Sequence, residues 1–501
     1  MNEVLVVGGT AGGVCAAVAA AHGGAAVTLV ADGRHLGGMM SGGLGYTDVG
    51  DVRALGGLAA RFRQSIAEHY RVPVGRYAGP EPHVAEAIFV SWLEQAGVEV
   101  VLDASVAQVR REGTWVTEVV LSDGTVASPA VVIDATYEGD VLALAGATTR
   151  IGRESRSSHG EQLAGRREIR PGRHSMPWGV DPFDDGGTPI AQLSPRPMVE
   201  VGEGDGEVMS YGYRLCLTRA ADRVEITEPE GYDPAYWEVA RRAIARLGER
   251  PAGWFLGLEE NLPGGKCDAN SLGPTSLSVL DGTARGWAEA TPLEREHIRA
   301  HHERHARSFL WFLRHDPTVP RSVRQEIARW GYAADEFADT AHLPHQLYVR
   351  EARRLVGETV LTEQDLRAGA VPADTVALGS YHLDIREVQR SWVTAWEHPD
   401  PEHHVVNEGY LSVAVPIYGI GYSSLLPRRE ELSNVLAAVC VSASHVAFSS
   451  IRMEPQYQML GEAAGTAAAL ALRTDRRLHD LDVTALQEHL RSHGAVLAPP
   501  P

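Results

Sequence analysis

Four residues close to the start of the chain have the spacing needed to hold a phosphate. Gly8, Gly9, Thr10 and Gly13 stand between the apolar run Val4–Val7 and an Ala-rich segment at residues 15–21. That order of apolar run, glycine turn and small-residue segment predicts strand, tight turn and helix. In a Gly-x-Gly-x-x-Gly turn the first glycine permits the bend and the third lets helix and strand approach closely, so that a phosphate reaches the helix N-terminus. Gly8 and Gly13 occupy the outer positions, whereas Thr10 replaces the second glycine, with Gly9 and Gly12 adding freedom beside it. Residues 26–30 read as the next strand. Asp32, just beyond them, stands where an acceptor for a ribose hydroxyl belongs, with a solvated turn aspartate as the alternative. Together these residues argue for a dinucleotide site without naming the dinucleotide.

Other polar residues have more than one reading. The segment GGMMSGGLG at residues 37–45 is too rich in glycine for a regular element; it is a loop bringing backbone amides to a ligand, or a flexible turn. Residues 130–135 read as a strand ending in Asp134, and Tyr137, Glu138 and Asp140 follow at what would be the carboxyl edge of a sheet, where open α/β folds bind ligands. A helical pattern at residues 289–311 carries His297, His301, His302 and His305, partly at i,i+4 spacing. Its Arg and Glu neighbours predict a solvated helix rather than a metal centre, and position 306 is Ala, so no HExxH motif is formed. Cys15, Cys216, Cys267 and Cys440 are scattered without a CxxC pair, which predicts reduced thiols and no metal site.

The elements that must position these groups fit in 501 residues, long enough for two lobes. Lys+Arg 46 against Asp+Glu 65 gives a net charge of -19, which argues against nucleic acid or an anionic membrane as partner. No apolar run approaches the roughly 18 residues of a membrane span. The opening MNEVLVVGG lacks a basic leader and reads as a buried strand, so a cytoplasmic protein is expected. Helices are predicted over residues 54–70 and 82–96, and strands over 98–101, 106–110 and 116–121, the last closed by a Ser122-Asp123-Gly124 turn. Residues 157–207, rich in Gly, Pro, Arg and Asp, predict long loops. Residues 462–472, preceded by Gly461 and interrupted by Gly465, predict a small-residue helix suited to packing on another helix or on a flat cofactor.

Several ordered blocks carry a family resemblance. GGTAGG, RHLGGMMSGGLGYTD, IDATYEGDVLALAGA, YGYRLCLT, LPHQLYVREARRLVGE, SYHLDIREVQR and SASHVAFSSIRMEPQYQMLGEAAGTAAALAL span nearly the whole chain, and together they resemble the FAD-dependent oxidoreductase family. The resemblance implies an α/β fold: a Rossmann-like FAD-binding lobe assembled from both chain ends, with a mixed α+β substrate lobe. Residues 1–155 and 405–485 would form the FAD lobe, 156–404 the substrate and helical insert region, and 486–501 a tail. It implies that Gly8, Gly9, Thr10 and Gly13 bind the pyrophosphate. Arg34, Gly37, Gly38 and Met39 would approach FAD, and Gly461 with the following helix the isoalloxazine. His35 stands near the place where some related flavoproteins attach FAD covalently, with ordinary hydrogen bonding or exposure as its alternatives. The chain departs from the family at Asp384-Ile385-Arg386, where Asp-Ser-His is commoner, and at Gly421 and Ser423 around Tyr422, where Pro and Arg are commoner.

Flavin oxidation needs a donor C–H facing the ring and a group that accepts the donor's proton. His445, in SASHVAFSS, is the first acid-base candidate, with a supporting hydrogen bond as its other role. Arg452 would stabilise a carboxylate, an alkoxide or reduced flavin, or form a network with Glu454. Tyr422 would orient a hydroxyl or amine, or pack beneath a loop. Arg386 would bind an acidic substituent or form a salt bridge, with Asp384 fixing it. The expected function is an FAD-dependent oxidase or dehydrogenase removing hydride from a small alcohol or amine in specialised metabolism, with molecular oxygen or another electron acceptor. A monooxygenase and a noncatalytic flavin sensor are the alternatives. No second βαβ nucleotide motif is present to suggest a separate NAD(P)H domain. The oligomeric state is not legible in the sequence.

Overall fold

Val4–Val7 and Val131–Asp134 are buried along their whole length, and Val27–Val30 nearly so, which is the demand a parallel sheet covered on both faces makes of its strands. The computed structural model, describing residues 3–169, 174–395 and 402–500, joins them in a five-stranded parallel sheet. The order is Val435–Ala437, Val131–Asp134, Val4–Val7, Val27–Val30, Glu99–Val101. The fold is therefore α/β, and one edge of the sheet comes from the far end of the chain.

Helix Ala11–His22 links the first two strands and lies against the long helix Glu454–Thr474. Small residues let their backbones touch: a Cβ on Gly461 would stand 2.0 Å from the Gly12 carbonyl oxygen, and one on Gly465 2.1 Å from that of Ala16. The long helix starts at Glu454, well before the expected residue 462, with Pro455 in its first turn, where a missing N–H costs nothing.

Helix Pro82–Ala96 falls where expected, and the neighbouring helix begins at Gly57 after a short turn at Val52–Ala54. The predicted Ser-Asp-Gly turn joins Trp115–Leu121 to Val126–Ala127 in an antiparallel meander with Val106–Glu112. In the middle of the chain, Leu215–Thr218 pairs with Lys266–Ala269 and Gly331–Tyr332. The expected boundary at 405 falls inside the hairpin of Gln389–Ala395 and Glu402–Glu408, and that at 486 falls inside helix Val483–Ser492, whose Leu486 and Leu490 are buried. Of the loop expected over 157–207, residues 170–173 lie outside the described residues; the rest is irregular apart from helix Arg156–His159. Among the described residues no helix is long and apolar enough to cross a membrane.

The histidine-rich helix, Pro292–His315, differs from the solvated helix expected. His302 and His305 are fully buried, and burial pushes them down to about 4 and about 3. His305 is held neutral between the Ser276 carbonyl (2.8 Å) and the Tyr236 hydroxyl (2.8 Å), and packs on Trp237. Partners from other segments, invisible to local sequence, turned that face inward.

Candidate active site

At the glycine turn, backbone takes the place of side chains. Gly8 has φ +112°, and a Cβ there would lie 2.6 Å from the Ala135 carbonyl; on Gly13 it would lie 1.9 Å from the Gly8 oxygen. Thr10 caps helix Ala11–His22: its Oγ1 accepts from the Gly13 N–H (3.0 Å) and donates to the Ala135 carbonyl (2.8 Å). The residue that breaks the glycine pattern thus takes up one of the free amides of the helix start. Gly8, Gly9, Thr10, Asp32, Arg34 and Gly38 line one cavity at the carboxyl edge of the sheet.

The far wall of that cavity comes from elsewhere in the chain. Arg295, from the histidine-rich helix, holds Asp140 with two hydrogen bonds of 2.7 Å, and Trp287 donates to Glu138 (2.8 Å). Burial pushes Glu138 up to about 7 despite Arg295 beside it. At the rim, Arg34 is exposed and paired with Asp103 (3.1 Å). His35 bonds to Glu86 (3.1 Å) and Asp339 (2.9 Å), which hold it above the usual imidazole range, and it stacks on His345 at 4.1 Å. His345 lines the same cavity, with both ring nitrogens buried and without a hydrogen-bond partner; burial and the His35 charge push it down to about 4.

Gly37 and Gly38 let the next loop press into the sheet edge: a Cβ would meet Phe89 at 2.5 Å or the Tyr137 hydroxyl at 2.4 Å. The Met39 N–H donates to the Tyr137 hydroxyl (2.9 Å), which in turn donates to Glu454 Oε1 (2.9 Å). Three distant segments therefore meet at Tyr137. Burial pushes Glu454 up to about 8; its Oε2 and the side-chain amide of Gln456 are buried without partners. Buried polar atoms without partners are rare in native proteins. With the cavity and the glycine cradle, these atoms fit a large polar cofactor seated at the turn.

Beside this node lies a second group. Arg452 donates to Asp384 Oδ2 (2.8 Å), to the Asp384 carbonyl (2.9 Å) and to the Tyr348 hydroxyl (3.3 Å). Arg386 stands 3.3 Å from Glu387 and 3.5 Å from His174 Nδ1, so the aspartate expected to fix Arg386 fixes Arg452 instead. Neither does Arg452 join Glu454, which belongs to Tyr137. His445, buried at the start of helix His445–Ile451, bonds through Nδ1 to both Glu351 oxygens (2.8 and 2.9 Å). A carboxylate only accepts, so Nδ1 carries the hydrogen that Glu351 receives; Nε2 has no partner. Arg354 holds Glu351 and Glu154 in the same network.

Two expected site residues are placed elsewhere. Tyr422 donates its hydroxyl to the Leu478 carbonyl (3.0 Å) and is buried. Gly461 faces the Gly12 backbone. Sequence reasoning passed over His345 and Arg350, though both stand in the quoted block LPHQLYVREARRLVGE, and over Tyr137 and Glu454 as partners; Arg295 left no local signal. The one group of metal-ligand types among the described residues, Glu81, His83, Asp335 and Glu336, surrounds the Lys266 ammonium at 2.6 to 2.7 Å from its three carboxylates, so a cation already sits there.

A parallel sheet with a glycine turn at its carboxyl edge and an acid after the second strand defines a Rossmann-type dinucleotide-binding protein. The chain belongs to the FAD dependent oxidoreductase family, whose model matches residues 3–490. The family is described as one of oxidoreductases that depend on FAD. No curated protein sequence matches it. Similar solved structures include L-proline dehydrogenase from P. horikoshii, 16% identical with a TM-score of 0.24 over 30% of this chain and 58% of that one. A flavin-containing monooxygenase from Stenotrophomonas maltophilia is 18% identical with a TM-score of 0.21, covering 27% and 38%. Thioredoxin reductase from Streptococcus pyogenes is 20% identical with a TM-score of 0.20, covering 30% and 37%. The chain thus spans 37% to 58% of the length of these proteins, and such partial likenesses do not decide the reaction.

Proposed function

We propose that the protein removes a hydride from a small alcohol or amine, as an oxidase or a dehydrogenase. The observation that carries this reading is His445: an imidazole fixed by Glu351, with a buried, unpartnered Nε2, on the helix that leads into Arg452 and Glu454. FAD, when bound, supplies the two-electron acceptor. The turn of Gly8, Gly9, Thr10 and Gly13 holds the pyrophosphate, Asp32 takes a ribose hydroxyl, and the Gly37, Gly38 and Met39 backbone supports the ring-bearing part. Arg34 and His35 close the rim through their carboxylate partners. Nε2 of His445 accepts the proton from the donor's heteroatom, and the Glu351 carboxylate stabilises the imidazolium that results. Arg452 and Arg386 orient the donor. Gly461 and Tyr422 serve packing.

The test begins with protein purified in the presence of FAD, its optical spectrum, and acid release of the cofactor. Anaerobic addition of alcohols and amines should then bleach the flavin, and His445→Gln should slow that reduction by roughly 10²-fold or more without loss of bound FAD. Full-rate reduction in His445→Gln would remove the imidazole from the chemistry. Incorporation of labelled oxygen into product would move the reaction to the monooxygenase class, and bound FAD that no donor reduces would favour a sensor.

A further inference from the structure

Arg350, Arg386 and Arg452 are buried together, at 4%, 9% and 4% exposure, where the segment 343–358, the strand Leu383–Ile385 and the start of helix Glu454–Thr474 meet. Such a cluster is costly, because each guanidinium loses water and repels the others. Two carboxylates answer three charges: Asp384 pairs with Arg452 and Glu387 with Arg386. Among the described residues no carboxylate pairs with Arg350. It donates to the Ser210 carbonyl and lies over the Tyr348 ring at 4.3 Å. Burial, and then the charges of Arg386 and Arg452, push Arg350 down to about 9.

A neighbouring arginine shows how the fold treats a purely structural guanidinium. Arg390 also lacks a carboxylate, yet Nε, Nη1 and Nη2 each meet a neutral acceptor: Asn407 (3.0 Å), Gln192 (2.8 Å) and the Pro274 carbonyl (2.7 Å). Arg452, by contrast, keeps a buried Nε with no acceptor, and the Nε of Arg386 lies 3.3 Å from Glu387 without a well-formed hydrogen bond. Tyr348, Tyr381, His382 and Asp384, which adjoin the cluster, are part-exposed. Convergent guanidinium donors with one charge in excess suit a group that accepts several hydrogen bonds and carries a negative charge, which is what a carboxylate does.

The geometry points to a carboxylate subsite: the donor is a hydroxy or amino carboxylic acid whose carboxylate is held by Arg350, with Arg386 and Arg452 beside it. This rests on the reading of the Arg452 region as the donor site and narrows the alcohol or amine proposed above. Loss of the C–H hydride to FAD and of the O–H or N–H proton to His445 would leave a keto or imino acid.

Calorimetric titration of the FAD-loaded protein with benzoate against benzamide, and acetate against acetamide, tests the subsite without turnover. At least one carboxylate should bind about tenfold or more tighter than its amide, the worth of one charge-assisted hydrogen bond. Arg350→Met should remove that preference while leaving FAD content unchanged, and Arg350→Lys should retain part of it. Arg386→Gln, expected to weaken carboxylate binding by a smaller factor, serves if Arg350→Met does not fold. No preference for either carboxylate, or an undiminished one in the variants that fold, overturns the subsite. Bound FAD without carboxylate preference sinks this inference and spares the function proposed above. Carboxylate preference in a protein whose flavin no hydroxy or amino acid reduces supports the anion subsite and sinks the oxidation.

Discussion

At the glycine turn a ligand is accommodated by leaving side chains out: Gly8, Gly13, Gly37 and Gly38 bring backbone within a distance that a single added carbon would close. At the arginine cluster it is accommodated by bringing side chains in, from positions 350, 386 and 452, and leaving their donors incompletely answered. A cradle of backbone is a matter of shape, and any added atom displaces the chain itself. A cradle of charges is a matter of balance, and a substitution shifts affinity while the chain stays in place.

The sharpest way to break this contrast is Gly13→Val. With the Gly8 oxygen 1.9 Å from the new Cβ, the strand and helix must part, so FAD loading should be lost and stability should fall by about 3 kcal/mol or more. Gly33→Ala, in the same cavity with nothing within 4 Å of the added carbon, should keep both. Flavin absorbance per protein and thermal unfolding read the pair; equal behaviour would mean that shape is not what the turn supplies.

A second prediction concerns a charge cluster in which one ammonium answers three carboxylates. Lys266→Met would leave Glu81, Asp335 and Glu336 facing one another without the ammonium, two of them largely buried. Stability should drop by roughly 3 kcal/mol at neutral pH and recover as acid protonates the carboxylates. An unchanged melting temperature would show that the lysine is not the counter-ion the geometry makes it.

The smallest effect is a pH dependence. Glu454 is raised in the folded protein from 4.5 to about 8, so its contribution is fully present below the unfolded value and is lost as pH rises through the folded one. In FAD-free protein, the unfolding free energy should therefore fall across pH 5 to 8 by about 2 kcal/mol or more from this group, and Glu454→Gln should flatten that part of the curve. A variant whose profile parallels the wild type would show that Glu454 is ionised throughout.

How much of this was legible in the sequence follows the same division. The turn, the first two strands and their connecting helix were readable because glycine, apolar runs and small residues act on their own neighbours. Thr10 even carried a legible second meaning: a threonine three residues before Gly13 is an N-cap. Arg350, Arg386 and Arg452 obey no local period, and only the fold shows that they meet. His302 and His305 differ from expectation for the same reason, since Tyr211 packs against the first and Tyr236 and Trp237 against the second, all from different segments. Asp384 was paired with its sequence neighbour Arg386, whereas the fold gave it Arg452.

The strand Val435–Ala437 has a consequence for how the protein is made. During synthesis Val131–Asp134 has an open edge until that late strand emerges, and helix Ala11–His22 lacks the helix it rests on. An unpaired edge of apolar residues invites association with other chains. The phosphate turn emerges some four hundred residues before the strand and helix that complete its surroundings, so maturation with FAD is tied to the emergence of Val435–Ala437 and Glu454–Thr474.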